Sequence, residues 1–273
     1  MEYERTPKVS VIAPIYGVEQ FIGKAAKSMM EQTLHDVEFI FVDDCTQDRS
    51  IEVLCEVISH YPNRSGQVSI IKHNTNKGLP AARNTGLEVA RGEYILHWDS
   101  DDYAEKDMLE CLYNEAKRNG NDYVWCDWFL TFNSNSRIMR QPTAATPREA
   151  LSIVLAGCMK YNVWNKLVAR SLYTDSKIKF PEGYSMGEDM TMIKLLTHAK
   201  SVGHVAKPLY HYIRINSSAM TQIYSDAHLK QLLKNTTDVC YFLRDQIIDN
   251  SIEREISWFK LNVKLPFLFS GRQ

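Results

Sequence analysis

Gly92-Glu93-Tyr94-Ile95-Leu96-His97-Trp98-Asp99-Ser100-Asp101-Asp102 is the stretch whose residue types and spacing speak most directly of chemistry. An apolar, β-prone run ends there in three carboxylates within four residues. Acid groups delivered to the end of a strand suit a hard divalent cation, which takes oxygen ligands. Taken alone, Asp-Ser-Asp-Asp is equally an ordinary polar turn after a strand. A second acidic pair, Asp43-Asp44, closes the apolar run Val37–Val42. A third, Glu188-Asp189, precedes the apolar segment from Met190 to Leu196. On its own, Gly187-Glu188-Asp189 reads as a helix start whose acids complement the helix dipole.

These acids gain meaning from the elements that must position them. Lys8–Ile15 is β-branched and apolar, with Pro14 near its end. Val18–Glu31 carries Phe21, Ile22, Ala25, Met29 and Met30 at helical spacing. Val37–Val42 predicts a second strand, Ser50–Ser59 a helix, Val68–Ile71 a third strand and Tyr94–Trp98 a fourth. Between the last two, Pro80–Ala90 predicts a helix with proline in its first turn. Strands separated by helical crossovers imply a parallel sheet, because a tight turn cannot join a parallel pair. Ligands of such sheets sit beyond the carboxyl ends of the strands. Pro14-Ile15-Tyr16, Asp43-Asp44 and Asp99–Asp102 all place polar groups at that edge.

Beyond residue 103 the pattern loosens. Helices are expected over Lys106–Asn119, Pro147–Met159, Asp189–Ala199 and Ser225–Asp249. Strands are expected over Tyr123–Phe132, Val163–Val168, Val202–Val205 and Pro208–Ile213, and a polar loop or hairpin over Asn133–Thr146. With no repeat, low-complexity tract or linker, the expectation is one α/β domain with a mostly parallel central sheet flanked by helices. That domain would span residues 1–220, with one half over 7–102 and a second over 103–220. Residues 221–273 would form a C-terminal helical extension packed on or beside it.

The 273 residues are 44% hydrophobic and 24% charged, ordinary for a globular protein. A net charge of −1 exerts no general pull on nucleic acid, so an anionic partner must be held by a local site. Six cysteines without a C-x-x-C pair suggest reduced thiols in a cytoplasmic protein and neither a zinc site nor a disulfide framework. Met1-Glu2-Tyr3-Glu4-Arg5 lacks the apolar core of a signal peptide. No run approaches the roughly 20 apolar residues of a membrane helix. Trp258–Phe269, which mixes apolar bulk with lysines, suits peripheral contact with the inner face of a membrane or, alternatively, packing of a last helix on the core.

Taken together, certain pieces resemble the family 2 glycosyltransferases, inverting enzymes with a GT-A nucleotide-diphospho-sugar fold. In order they are Val9-Ser10-Val11-Ile12-Ala13-Pro14-Ile15-Tyr16, Phe41-Val42-Asp43-Asp44, Asn76-Lys77-Gly78-Leu79-Pro80-Ala81-Ala82-Arg83-Asn84, Gly92-Glu93-Tyr94-Ile95 and Asp99-Ser100-Asp101-Asp102. Trp164-Asn165-Lys166-Leu167 and Gly187-Glu188-Asp189 continue the match, which covers residues 7–215. Two positions depart from the family pattern: Gly17 stands where the family has asparagine, and Cys45-Thr46 where it has Gly-Ser.

The resemblance implies roles as well as a fold, with a nucleotide-binding half over residues 7–102 and an acceptor-binding half over 103–220. Asp101 would be the main ligand of a Mn²⁺ or Mg²⁺ ion, with Asp99 toward the metal or ribose and Asp102 in support. Asp43 would accept a hydrogen bond from the uracil N3–H, while Asp44 orders its own loop. Pro14, Tyr16 and Ser100 would border the donor, and Gly78 would let backbone approach the nucleotide. Arg83 would pair with phosphate or with the acid cluster; a solvated helix face is the other reading. Asp189, with Glu188 beside it, would be the general base. Trp164 would line the sugar or acceptor pocket, or simply pack in the core, and Lys166 would meet the diphosphate. Tyr210, His211 and Tyr212 would approach the phosphates, and His97 reads as a packed histidine. The implied reaction is metal-dependent transfer of a hexosyl or N-acetylhexosaminyl unit from a UDP-sugar to a glycan or lipid-linked acceptor, in polysaccharide or glycolipid synthesis. A sugar nucleotidyltransferase is the alternative enzyme, although the loop Pro14–Glu19 lacks that class's glycine-rich basic character. A receiver-like signalling domain and a non-catalytic nucleotide-sugar-binding module are the alternatives outside catalysis.

Overall fold

Strand β1 (Val9–Ile15) runs between β2 (Val37–Asp43) and β4 (Tyr94–His97), parallel to both. Its near-continuous apolar sequence is what a strand covered on both faces requires. Outside β2 lies β3 (Val68–Lys72), a half-exposed edge strand. The crossovers are α1 (Glu19–Met30), α2 (Ser50–Ser59) with the short α3 (Pro62–Ser65), and α4 (Leu79–Val89). Helix α1 buries Ile22, Ala25, Ala26, Met29 and Met30, one stripe at helical period. Helix α4 lies so close to β1 that a Cβ on Gly86 would overlap the Ile12 side chain. The computed structural model describes residues 6–214, 226–247 and 252–270, the side chains of 266–270 excepted.

The second half extends the same sheet but mixes its directions. Strand β4 pairs antiparallel with β8 (Lys166–Ala169), which pairs antiparallel with β6 (Tyr123–Thr131). Strand β6 is parallel to β9 (Val202–Ile213), and β9 carries the two-residue β5 (Tyr103–Ala104). The order is β3-β2-β1-β4-β8-β6-β9-β5, with β7 (Ser136–Met139) folded back on β6. Helices α5 (Met108–Asn119), α6 (Pro147–Leu155), α7 (Arg170–Ser176) and α8 (Thr191–His198) cover it. Helices α9 (Asp226–Gln246) and α10 (Ile252–Ser270) follow.

Several expectations shift in detail. Val202–Val205 and Pro208–Ile213 are one strand, not two. The register slips where Asp127 faces Pro208, since proline has no N–H to give the ladder and a bulge absorbs the gap. The helix expected from Asp189 opens as a 3₁₀ turn, Glu188–Met190, before α8. Helix α6 ends at Leu155, short of Met159, and the Asn133–Thr146 region forms the hairpin strand β7. The 220/221 boundary, the N-terminal Met1–Arg5 and both ends of the helix expected over Ser225–Asp249 lie outside the described residues. The Arg148–Glu255 ion pair at 2.8 Å ties α10 to α6, and Ile256, Phe259 and Val263 bury its inner face. Trp258 and Leu261 point outward and are exposed. Among the described residues, no helix is long and apolar enough to cross a membrane, and the six cysteines are unpaired.

Candidate active site

Strands β1, β2 and β4 deliver their carboxyl ends to one edge, and short hydrogen bonds weld the loops there together. Ser100 Oγ donates to Pro14 O at 2.6 Å, Asp44 N to Ile15 O at 3.0 Å, and Gly17 N to Thr46 Oγ1 at 2.9 Å. Asp43 Oδ1 accepts the Thr46 N–H at 2.8 Å, so this carboxylate shapes its own loop. Asp44 reaches further. Its Oδ1 accepts Lys77 N at 2.8 Å and His73 Nδ1 at 2.7 Å, and its Oδ2 accepts Gly78 N at 2.8 Å. Because the carboxylate only accepts, His73 donates from Nδ1, and its Nε2 is hydrogen-bonded to the Thr85 hydroxyl at 2.9 Å. The buried Asp44 therefore pins the start of α4, where Gly78 sits at φ 87°, a left-handed backbone that glycine tolerates. Tyr16 stands exposed at the mouth. Cys45, where the family pattern has glycine, also adopts positive φ at 60°.

The acids after β4 form a turn closed by Asp102 N donating to Asp99 O at 3.0 Å. Asp102 is 1% exposed and lashes the turn to β9, its Oδ1 accepting Ile213 N at 2.7 Å. Burial, with Asp101 and Asp99 nearby, holds its carboxyl well above the ordinary range. The hydroxyl of Tyr210 receives the Asp99 N–H at 3.2 Å. Asp101 and Asp99 remain half-buried, toward the opening.

Arg83 connects this turn to a segment some ninety residues away. Only 1% exposed, it donates from Nη2 to Asp99 Oδ1 at 2.8 Å and to Glu188 Oε1 at 3.4 Å. Its guanidinium lies 5.7 Å from the centre of the Phe180 ring, while Nε and Nη1 have no hydrogen-bond partner among the described residues. Two carboxylates outweigh the desolvation of the cation and raise its pKa, so Arg83 stays charged. Glu188 is raised by burial and by Asp99, against the pull of Arg83. Asp189 is half-buried. Loss of solvent, then the neighbouring charges of Glu188 and Asp99, hold it well above the ordinary carboxylate range, with Arg83 and Lys166 opposing. A carboxylate made more basic in this way is suited to accept a proton from a hydroxyl.

Asp99, Asp101, Asp102, Arg83, Glu188 and Asp189 are thus gathered at one centre; other expected site residues lie around it, engaged with partners of their own. Lys166 is 1% exposed and turns its ammonium to Lys160 O and Asn165 Oδ1, both at 2.8 Å; burial pulls its pKa down to about 7. Trp164 is a buried slab, stacked on Tyr210 at 4.5 Å and Tyr212 at 5.6 Å, with Trp128 edge-on at 5.1 Å. His211 stacks between Tyr103 and Phe129 and bonds Glu105 Oε1 at 2.8 Å. His97 is buried against Phe180 and Tyr173, kept neutral by desolvation and by Arg83. Asn84, next to Arg83, grips Phe180 through N–H and C=O at 2.9 and 3.0 Å; no spacing rule distinguishes it from any polar residue of a helix face.

Among the described residues, no three carboxylates, imidazoles or thiols converge as a ready-made metal cage. A Mn²⁺ or Mg²⁺ ion held by one or two carboxylates and by substrate phosphates needs no such cage. The half-buried Asp101 and Asp99 fit that donor set.

The family model for glycosyl transferase family 2 matches residues 10–183. The chain belongs to that family. It is 31% identical to an uncharacterised glycosyltransferase, EpsJ, of Bacillus subtilis, over 97% of this chain and 78% of that one. It is 30% identical to a cholesterol galactosyltransferase of Borreliella burgdorferi, over 85% of this chain and 66% of that one, so it spans less than that relative's full length. Its fold superposes on S. aureus TarS, residues 1–349 crystallised with UDP-GlcNAc, with a TM-score of 0.77 at 21% identity, covering 95% of this chain and 73% of that chain. This glycosyltransferase accordingly has the GT-A fold, and the nucleotidyltransferase and receiver readings fall away.

Proposed function

We propose that this family 2 glycosyltransferase moves a hexosyl or N-acetylhexosaminyl unit from a UDP-sugar to a hydroxyl of a glycan or lipid-linked acceptor, with inversion. The observation that carries the reading is the two-way bridge from Arg83 to Asp99 and Glu188, which brings the acid turn and Asp189 to one centre. TarS, which shares the fold, was crystallised with UDP-GlcNAc, and that supports a uridine nucleotide at the same edge. The Borreliella relative's name supports a lipid among the acceptors considered.

Asp43, Asp44 and the Gly78 backbone border the base and ribose, with Tyr16 at the rim. Asp101 and Asp99 are the residues that would hold Mn²⁺ or Mg²⁺, which when bound offsets the negative charge gathering on the departing diphosphate. Arg83 keeps Asp99 oriented and fixes Glu188, the neighbour of the base. Asp189 takes the acceptor proton as the hydroxyl oxygen attacks the anomeric carbon and the bond to the diphosphate breaks. Direct displacement from the opposite face inverts the centre and leaves no covalent enzyme intermediate. A polysaccharide or glycolipid at the inner membrane face is the setting this chemistry suits, with α10 as the element nearest in character to an interfacial helix.

The test is UDP release from UDP-glucose, UDP-galactose and UDP-N-acetylglucosamine, before and after chelation. Activity that disappears with chelator and returns with Mn²⁺ or Mg²⁺, together with a loss of about a hundredfold or more in Asp101→Ala, supports the reading. Full activity of Asp101→Ala, still sensitive to chelator, contradicts the ligand assignment.

A further inference from the structure

The loop that carries Glu188 and Asp189 has little to hold it from within. Its 3₁₀ turn has no side-chain cap, starts from Gly187 at φ 81°, and is closed by Met190 N donating to Gly187 O at 3.1 Å. Earlier in the loop the Glu188 N–H reaches Ser185 O only at 3.5 Å, and the Tyr184 N–H donates to Pro181 O at 3.1 Å. Three further backbone groups of this loop, Tyr184 O, Met186 O and Met186 N, are satisfied from outside, by α9. Asn235 Nδ2 donates to Tyr184 O at 3.0 Å and to Met186 O at 2.8 Å, and Gln231 Oε1 accepts the Met186 N–H at 3.1 Å. Both partners of the Asn235 amide are carbonyls, so the nitrogen assignment follows from the network. One NH₂ group spans two carbonyls two residues apart, which fixes the curvature of the chain just ahead of the acids.

Asn235 is 3% exposed in the interior of a helix. Asparagine is a poor residue there, and a buried amide is costly unless it is paired. Packing alone would be served by leucine. The loop also presses tightly on this turn of α9: a Cβ on Gly187 would come within 2.9 Å of Leu232 Cδ1, and Thr236 Oγ1, whose hydroxyl donates to Leu232 O at 2.7 Å, lies 3.8 Å from Met190 Sδ. At the loop's other end, Asn84 of α4 grips Phe180 and, at 3.0 Å, Glu182 Oε1.

We propose that Asn235, assisted by Gln231, is a positioning residue for transfer: α9 sets the register of the loop that presents Asp189, so the C-terminal helical extension is part of the catalytic apparatus. The inference rests on the reading of Asp189 as base. Loss of the clamp frees the peptide groups of 184–186 and lets Asp189 drift, and a misplacement of about 1 Å can cost on the order of a hundredfold in rate.

The test uses the full chain carrying Asn235→Ala or, at a half-buried position where folding is less at risk, Gln231→Ala. Amide exchange of the peptide covering 184–190 is followed alongside UDP affinity and UDP release from the three UDP-sugars named above. The expected result is faster exchange confined to that peptide, UDP affinity within about twofold of the parent, and kcat lowered about tenfold or more with donor KM little changed. On an Asp189→Asn background, Asn235→Ala should add no further loss, because both changes remove the same function. Unchanged exchange in both variants overturns the proposal, as does a loosened loop with full kcat. Should Asp189→Asn itself turn over normally, the base assignment falls instead, and the exchange data still decide whether α9 holds the loop.

Discussion

Asp189 and Glu188 show how neighbours set the work a carboxylate can do. Burial and adjacent negative charge raise the Asp189 pKa above the ordinary 3.8. A general base acts when deprotonated, so kcat/KM should fall as pH drops through that raised value, well before an exposed aspartate would titrate. Glu188→Gln removes a negative neighbour, which should move the acid limb to lower pH while leaving the limb itself in place. A pH profile of UDP release checks both; a limb unmoved in Glu188→Gln contradicts the electrostatic coupling. Asp44 plays a different part from the one its position in a double aspartate suggests. Reading the sequence, we expected it to order its own loop, but it is Asp43 that does so, through Thr46, while Asp44 stitches β2 to the start of α4. Asp44→Ala strands the N–H of Lys77 and leaves that of Gly78 with Asn76 Oδ1 alone, at 3.1 Å. It should cost about 1–3 kcal/mol in urea unfolding and weaken UDP binding. Unaltered UDP affinity would place the nucleotide elsewhere.

At the level of elements, the first hundred residues were readable because local rules fix them. Apolar runs, helical stripes and a proline-started α4 alternate at regular spacing, and parallel strands demand the crossovers that the stripes supply. The second half was less so. Strand β9 reads in the sequence as two short strands, and its parallel pairing with β6 joins strands far apart in the chain, which no local periodicity encodes. Helix α7 and the two-residue β5 carry too short a pattern to read. Gly92 marks a contact that sequence alone leaves hidden. A Cβ there would meet Ser10 N at 2.5 Å, and the Gly92 N–H donates to Ser10 Oγ at 2.8 Å. Gly92→Ala should therefore push β4 away from β1 and destabilise by about 1–3 kcal/mol, read as a lowered denaturant midpoint. An unchanged midpoint would show that the strands give way at no cost.

Across the whole molecule, residues from β1, β2, α4, β4, β9 and the loop before α8 converge on one edge of one sheet. The acid turn was visible in the sequence as chemistry, and the glycosyltransferase resemblance gave Asp189 its role. What joins them is Arg83, which the sequence leaves open between the acid cluster, a phosphate and a solvated helix face; the fold shows it buried between Asp99 and Glu188. Lys166 illustrates the converse, since a lysine beside a family motif invites a phosphate and the fold turns it inward to Lys160 and Asn165. The acids of the centre outnumber the Arg83 cation that faces them, so Mn²⁺ with UDP should raise the thermal midpoint more than either alone. The most direct measurement is made on Asp189→Asn, an isosteric change that removes the base and keeps the shape. UDP affinity by titration calorimetry should stay within about twofold of the parent, while transfer falls by a factor on the order of a hundred to ten thousand. Transfer at the parental rate with UDP still bound would remove Asp189 from the reaction.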